Sequence, residues 1–127
     1  MSEIIVIAHN IRSTFNIGSI FRTCEGFGVS KIILSGYSPY PKLPIGDARL
    51  PHISEKLTAQ IHKTALDAEI MVPFEYQTEP DLAALKKYGY TIVGLEQDKR
   101  SVMLNNYKAP EKIALLLGEE VHGITDE

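Results

Sequence analysis

The strongest constraint on the fold is the alternation of short apolar runs with segments of helical periodicity. Five runs are rich in β-branched or aliphatic residues, as buried strands are: residues 4–8, 31–34, 70–74, 90–95 and 113–117. Helical patterns lie between them at residues 17–27, 54–65 and 80–88. Strands separated by helices predict an α/β fold with a mainly parallel sheet and helices on both faces. Pro73 predicts that the third strand lies at an edge or ends there.

The chain has 127 residues, which predicts one domain over residues 1–127. Hydrophobic residues make up 44% and charged residues 23%, so the composition argues against disorder. The formal net charge is −3, which does not favour general affinity for nucleic acid. Any contact with RNA must therefore come from a local patch, from another domain or from another subunit.

Cysteine and histidine usage argues against a metal centre. Cys24 is the only cysteine and lies on an apolar helical stripe, so we expect a packed thiol. The four histidines are dispersed, and we predict no metal site. We also expect no membrane partner and a cytoplasmic location, because neither a signal peptide nor a bilayer-spanning run is visible.

In parallel sheets, ligands bind beyond the carboxyl ends of the strands. Three segments rich in glycine, asparagine or charge follow predicted strands: residues 9–16, 96–101 and 118–123. In the first, Asn16 is predicted to be the N-cap of the first helix, which Gly26 or Gly28 can end. Residues 36–51 contain four of the seven prolines and are predicted to form a loop.

Gly18 and Arg22 are four residues apart, so they should lie on the same side of that helix. Glycine in a first turn lets another backbone or a ligand approach, and the free amides there favour an anion. Asn10, Arg12, Asn16 and Arg22 crowd this one connection. The alternative is that Asn16 only caps, Gly18 only packs and Arg22 is a solvated arginine.

The last predicted strand breaks at Gly118, passes Glu119 and Glu120, and turns at Gly123. Carboxylates there could accept hydrogen bonds from ribose or attract a cation, although an ordinary turn with exposed glutamates remains the alternative. The segment lacks the Gly-Lys-Ser/Thr of a P-loop and the spacing of a dinucleotide fingerprint.

Together these motifs resemble those of the SpoU (TrmH-like) RNA methyltransferases of the SPOUT superfamily. The family's N-x-R, N-x-G and R pattern appears as Asn10-Ile11-Arg12, Asn16-Ile17-Gly18 and Arg22, and its G-x-E-x-x-G pattern begins at Gly118. The resemblance implies a trefoil-knotted parallel sheet, a homodimer with its sites near the interface, and S-adenosylmethionine as cofactor. The implied substrate is a ribose 2'-hydroxyl in tRNA or rRNA.

The resemblance also assigns roles to individual residues. It implies a catalytic role for Arg22 and Asn16, and substrate binding by Asn10, Arg12 and Gly18. The implied cofactor-binding positions are Leu95, Glu96, Gly118, Glu119, Glu120 and Gly123.

A third family motif, containing S-L-N, does not occur before the chain ends at Glu127. We therefore expect a domain truncated after its second motif, without the threaded segment. The alternatives are a catalytically inactive SpoU-like module that binds RNA or protein, and an unrelated flavodoxin-like nucleotide-binding domain.

Overall fold

A computed structural model describes residues 3–95 and 112–118 of the chain. Five strands form one sheet in the order β3-β2-β1-β5-β4, and every neighbouring pair is parallel. The prediction of a parallel sheet is therefore confirmed. The strands are β1 (Glu3–His9), β2 (Lys31–Ser35), β3 (Phe74–Gln77), β4 (Thr91–Leu95) and β5 (Lys112–Gly118).

In the described part of the chain, four helices cover both faces of the sheet, as predicted. They are α1 (Thr14–Phe27), α2 (Pro51–Ala65), α3 (Ala68–Met71) and α4 (Leu82–Lys87). The first three pack on one face, where Phe21 and Ile61 meet Val6 of β1. On the other face, Leu82 and Leu85 of α4 pack with Ile5, Ile7 and other residues of that side.

The central strand β1 is buried on both faces, which explains why its sequence is continuously apolar. Side chains alternate across a strand, so Val6 and Ala8 point to one layer while Ile5 and Ile7 point to the other. Each fully buried aliphatic side chain contributes about 1.5–3 kcal/mol through removal from water. Both helical layers are therefore held by this one strand and its neighbours.

The start of α1 differs from the prediction. Ser13, not Asn16, is the N-cap: its backbone is extended (φ −82°, ψ 123°), and its Oγ accepts the Asn16 N–H at 3.1 Å. The apolar periodicity begins only at Ile17, so the sequence pattern did not reveal the polar first turn. At the other end, Gly28 adopts the left-handed conformation (φ 69°) that closes the helix, as expected.

Three other boundaries were wrong. The second helix begins at Pro51 rather than being capped by Ser54, because proline suits a first helical turn. The predicted strand over residues 70–74 starts only at Phe74, after the short helix α3 and Pro73, although it is the edge strand that Pro73 suggested. The fourth helix starts at Leu82 behind the N-cap Asp81.

One expectation lies beyond these observations. The trefoil knot stays a prediction, since residues 96–111 and 119–127 are outside the described residues. Within the described ranges, none of the helices has the length and hydrophobicity needed to cross a bilayer.

Candidate functional site

The predicted site lies where the carboxyl ends of three neighbouring strands meet. His9 of β1 pairs with Gly118 of β5, and Leu117 pairs with both Ala8 and Leu95 of β4. The connection after β1 and the glycine that ends β5 therefore share one rim of the sheet. Glu96, Glu119, Glu120 and Gly123 lie outside the described residues, so their assignment stays a prediction.

Asn10, the first residue after β1, has an unusual backbone conformation. Its φ is 57°, and its Oδ1 accepts the N–H of Tyr37 at 3.0 Å. Its own N–H donates to the Ser35 carbonyl at 3.1 Å. A Cβ at Gly36 would lie 1.8 Å from Asn10 Oδ1, so only glycine fits beside it. Asn10, which the resemblance assigned to substrate binding, therefore uses its amide oxygen to join two loops.

Ser38 also joins the connection after β1 to the loop after β2. Its buried hydroxyl donates to the Ala8 carbonyl at 2.9 Å and accepts the N–H of Ile11 at 2.8 Å. Ala8 is the penultimate residue of β1, whereas Ile11 lies beyond the end of that strand. One side chain thereby satisfies two backbone groups that would be costly to bury unpaired.

The proline-rich loop after β2 is fixed by Arg49. Its guanidinium donates to both carboxylate oxygens of Asp47, at 2.9 and 2.6 Å, and lies 3.6 Å from the ring centroid of Tyr40. Hydrogen bonds from Arg49 lower the pKa of the Asp47 carboxyl well below its usual range, and the same pairing raises the pKa of Arg49. Tyr40 in turn stacks on Tyr76 at 4.3 Å between centroids. The loop is therefore rigidly attached to the edge of the sheet.

A cleft of about 650 Å³ opens between this loop, the start of α1 and helix α2. Arg12 lies at its mouth, with its guanidinium carbon 5.0 Å from the centroid of the Tyr37 ring. Phe15 and Tyr37 are exposed there, at 65% and 51%. We call it the Arg12 cleft; its walls comprise Arg12, Ser13, Thr14, Phe15, Gly36, Tyr37, Ser38, Pro39, Tyr40, Arg49, Leu57 and Gln60.

Gly18 does not line this cleft. It is buried against α2, where an added Cβ would lie 1.9 Å from Thr64 Oγ1 and 2.4 Å from the Ile61 carbonyl oxygen. Its lack of a side chain admits another helix, and the interpretation of Gly18 as a packing residue describes its surroundings best. Close packing also lets Thr64 Oγ1 donate to the Phe15 carbonyl at 2.9 Å.

Asn16 and Arg22 are also separate from the walls of the cleft. Arg22 is exposed two turns into α1, and no partner for its guanidinium occurs among residues 3–95 and 112–118. Asn16 and Arg22 are six positions apart, which places them roughly 120° apart around the helix axis. One chain therefore presents these two side chains on different sides of α1.

A second polar cluster lies away from the rim, after α2. His62 Nδ1 is 2.7 Å from Glu69 Oε2 and 3.6 Å from Asp67 Oδ1. The hydrogen bond to Glu69 raises the pKa of His62, since it stabilises the imidazolium. The sequence did not suggest this grouping, because Asp67 reaches it through a left-handed turn at Leu66 and Asp67. Cys24 is buried in the core, as predicted.

Sequence reasoning also missed Phe15, Tyr37 and Arg49. Tyr37 carried a weak signal, since an aromatic residue between Gly36 and Pro39 has little reason to be in a polar loop. Arg49 and its partner Asp47 carried no signal in the sequence, because two charged residues two positions apart match neither a helical nor a strand pattern. Their roles depend on how the loop folds back on the sheet.

Comparison with known proteins gives a consistent result. The family described as SpoU rRNA Methylase matches residues 47–127. The tRNA (guanosine(18)-2'-O)-methyltransferase of Saccharomyces cerevisiae is 32% identical over 97% of the chain, which covers 8% of that relative. The enzyme of the same name from Aquifex aeolicus is 26% identical over 98% of the chain, which covers 53% of it. The chain thus spans from less than a tenth to about half of these relatives.

Solved structures agree on the fold. The crystal structure of an AdoMet-bound rRNA methyltransferase from Sinorhizobium meliloti matches 97% of the chain with a TM-score of 0.65 and 22% sequence identity. The chain covers 42% of that structure. This likeness supports the same arrangement of strands and helices.

Proposed function

Because the chain belongs to the SpoU rRNA methylase family, we propose that it methylates a ribose 2'-hydroxyl of tRNA or rRNA with S-adenosylmethionine. The observation that carries this proposal is the common rim formed by the ends of β1, β5 and β4. Both family motifs lead away from this rim, one after His9 and one at Gly118. Ligands of open parallel sheets bind at such positions.

The described part of the proposed cofactor site fits a ligand held by backbone groups. Leu95 ends β4 level with Leu117, and Gly118 follows without a side chain beside His9. Peptide groups at these two strand ends could therefore hold the adenosine and amino-acid portions. S-adenosylmethionine would supply an electrophilic methyl group. We propose that Glu96, Glu119, Glu120 and Gly123 complete this site, in keeping with the family motif.

Arg22 is proposed to bind a phosphate of the RNA and to stabilise the alkoxide that develops on the ribose. A guanidinium has a pKa above about 12, so it is a poor general base near neutral pH. A fixed pair of N–H donors can instead neutralise developing negative charge, which is worth about 3–4 kcal/mol for a well-placed donor. Asn16 is proposed to position the same nucleotide. Arg12 would hold its flanking phosphate.

A homodimer is part of the proposal. In one chain, Arg22 is not among the residues that line the Arg12 cleft, and it lies on a different side of α1 from Asn16. A second copy packed against α1 would allow Arg22 of one chain to act at the rim of the other. We also propose a cytoplasmic location, which is in keeping with a single cysteine, Cys24, in the whole sequence.

The proposal is tested by transfer of radiolabelled methyl groups to a mixture of tRNA and rRNA fragments. We expect Arg22→Lys to lower the rate about 10²- to 10³-fold, because lysine keeps the charge but loses the two-pronged geometry. The neighbouring exposed change Thr23→Ser should leave the rate unchanged and serves as the matched control. An Arg22→Lys protein with full turnover would contradict the role of Arg22.

A second candidate function is a binding module without turnover. The net charge of −3 gives the chain no general electrostatic affinity for RNA, which favours such a module that docks a protein. Wild-type protein that binds a protein partner or RNA but transfers no methyl group at any S-adenosylmethionine concentration would support this alternative. The flavodoxin-like alternative is overturned by the family match over residues 47–127.

A further inference from the structure

Two exposed aromatic side chains face the Arg12 cleft, Phe15 from the first turn of α1 and Tyr37 from the loop after β2. They are 65% and 51% exposed, although burial of either ring elsewhere would stabilise the fold. Neither ring belongs to the two apolar clusters of the core. Both rings are therefore accessible to a ligand in the cleft.

The backbone of each aromatic residue is fixed even though its ring is exposed. The Phe15 carbonyl accepts the Thr64 hydroxyl at 2.9 Å, and the Tyr37 N–H donates to Asn10 Oδ1 at 3.0 Å. Beside Tyr37, the Gly36 carbonyl accepts the Tyr76 hydroxyl at 2.6 Å. Rings on anchored backbone lose little entropy when a ligand packs on them, so the pair is preorganised.

The charge of the cleft points to the chemistry of the occupant. The guanidinium of Arg49 is paired with Asp47, and the guanidinium of Arg12 lies over the Tyr37 ring among the walls of the cleft. An aromatic ring beside an arginine suits an unstacked nucleobase, whose flat face packs on the ring while the arginine attracts its phosphate. The volume of about 650 Å³ lies within the range of small-ligand sites, about 300–1,000 Å³.

We propose that the Arg12 cleft binds one unstacked base of single-stranded RNA, with Tyr37 as its stacking platform and Phe15 as the second aromatic wall. This inference rests on the proposed function, because it names the form in which that enzyme would take its RNA. Duplex RNA would bind poorly, since its bases are stacked on each other and cannot enter the cleft. The site would therefore select loops and unpaired ends rather than a sequence.

The chain contains no tryptophan, so a single introduced indole reports on this site alone. We expect the fluorescence of Tyr37→Trp to be quenched in a saturable manner by a short unstructured RNA and not by a duplex of equal length. Tyr88→Trp is the matched control, because Tyr88 is exposed at 69% and lies outside the walls of the cleft. Absence of quenching in Tyr37→Trp, or equal quenching in both proteins, would overturn the proposal.

Affinity measurements on the same RNA give an independent readout. Tyr37→Ala should weaken binding about 5- to 150-fold, whereas Tyr37→Phe keeps the ring and should bind like the wild type. Equal affinity of Tyr37→Ala and wild type would refute the stacking role. Because these assays need no methyl donor, methyl transfer without Tyr37-dependent binding removes only this inference. Conversely, quenching without methyl transfer removes only the proposed activity.

Discussion

Replacing Gly18 with alanine examines the contact that brings the first two helices together. The added Cβ would lie 1.9 Å from Thr64 Oγ1, 2.4 Å from the Ile61 carbonyl oxygen and 3.0 Å from the Ala65 nitrogen. Rotation of the Thr64 side chain can relieve the first contact. It cannot relieve the other two, because they involve the backbone of α2. The helices must therefore move apart, and the hydrogen bond from Thr64 to the Phe15 carbonyl must lengthen or break.

The expected magnitude follows from two opposing effects. Forcing an extra methyl group into a packed interface costs up to about 3 kcal/mol. Alanine is better than glycine inside a helix by about 1 kcal/mol. We therefore expect Gly18→Ala to lower the free energy of unfolding by about 2 kcal/mol. The matched control is Gly26→Ala in the same helix, where no atom lies within 4 Å of the added Cβ. That change should raise the free energy of unfolding by about 1 kcal/mol or less.

Urea and thermal unfolding, followed by far-ultraviolet circular dichroism, measure both variants. The two proteins should differ by about 3 kcal/mol, which corresponds to roughly 12 °C in Tm for a chain of this size. Thr64→Ala combined with Gly18→Ala should restore only part of the loss, because the contact with the Ile61 carbonyl remains. Equal stability of Gly18→Ala and Gly26→Ala would show that α1 and α2 do not pack through Gly18.

Two further predictions concern polar contacts. Ser38→Ala should lower the free energy of unfolding by about 1–3 kcal/mol in urea titrations, because the buried Ile11 N–H and the Ala8 carbonyl each lose a hydrogen-bond partner. An unchanged free energy of unfolding would contradict the role of the Ser38 hydroxyl in joining these two groups. The pKa of His62 is raised mainly by its hydrogen bond to Glu69. The pairing of the imidazolium with Glu69 therefore stabilises the fold fully below about pH 6.5, and this contribution is lost as the pH rises through the folded-state pKa. Glu69→Gln should flatten that decline in urea midpoints and lower the His62 pKa in NMR titrations; an unchanged titration would exclude the pairing.

The rim of the sheet could be predicted from the sequence, but the geometry within it could not. The apolar runs and Gly118 predicted that both motifs follow the carboxyl ends of strands. The register of β1 with β5 shows that Gly118 lies beside His9. The residue types did not reveal that Asn10 joins two loops or that Gly18 faces α2. Those contacts join positions 26 or more residues apart, so no local pattern encodes them.

The N-cap of α1 could not be predicted from the sequence either, although it depends on residues that are close in the chain. Ser13 and Asn16 are both good capping residues, and the choice depends on which one has extended backbone geometry. Pro51 and Pro73 lie at element boundaries, since the ring of proline fixes φ regardless of its surroundings. The hydrophobic pattern still placed the start of α2 three residues too late and the start of β3 four residues too early.

The sequence alone determined the layered parallel sheet, because hydrophobic periodicity and proline or glycine punctuation act through the local backbone. It also determined the family, because its motifs are short and ordered. Only the tertiary structure decided which polar side chains face the cleft and which are engaged in packing. That distinction depends on how the loop after β2 folds against α1 and α2, where contacts between distant residues compete for the same donors, acceptors and space.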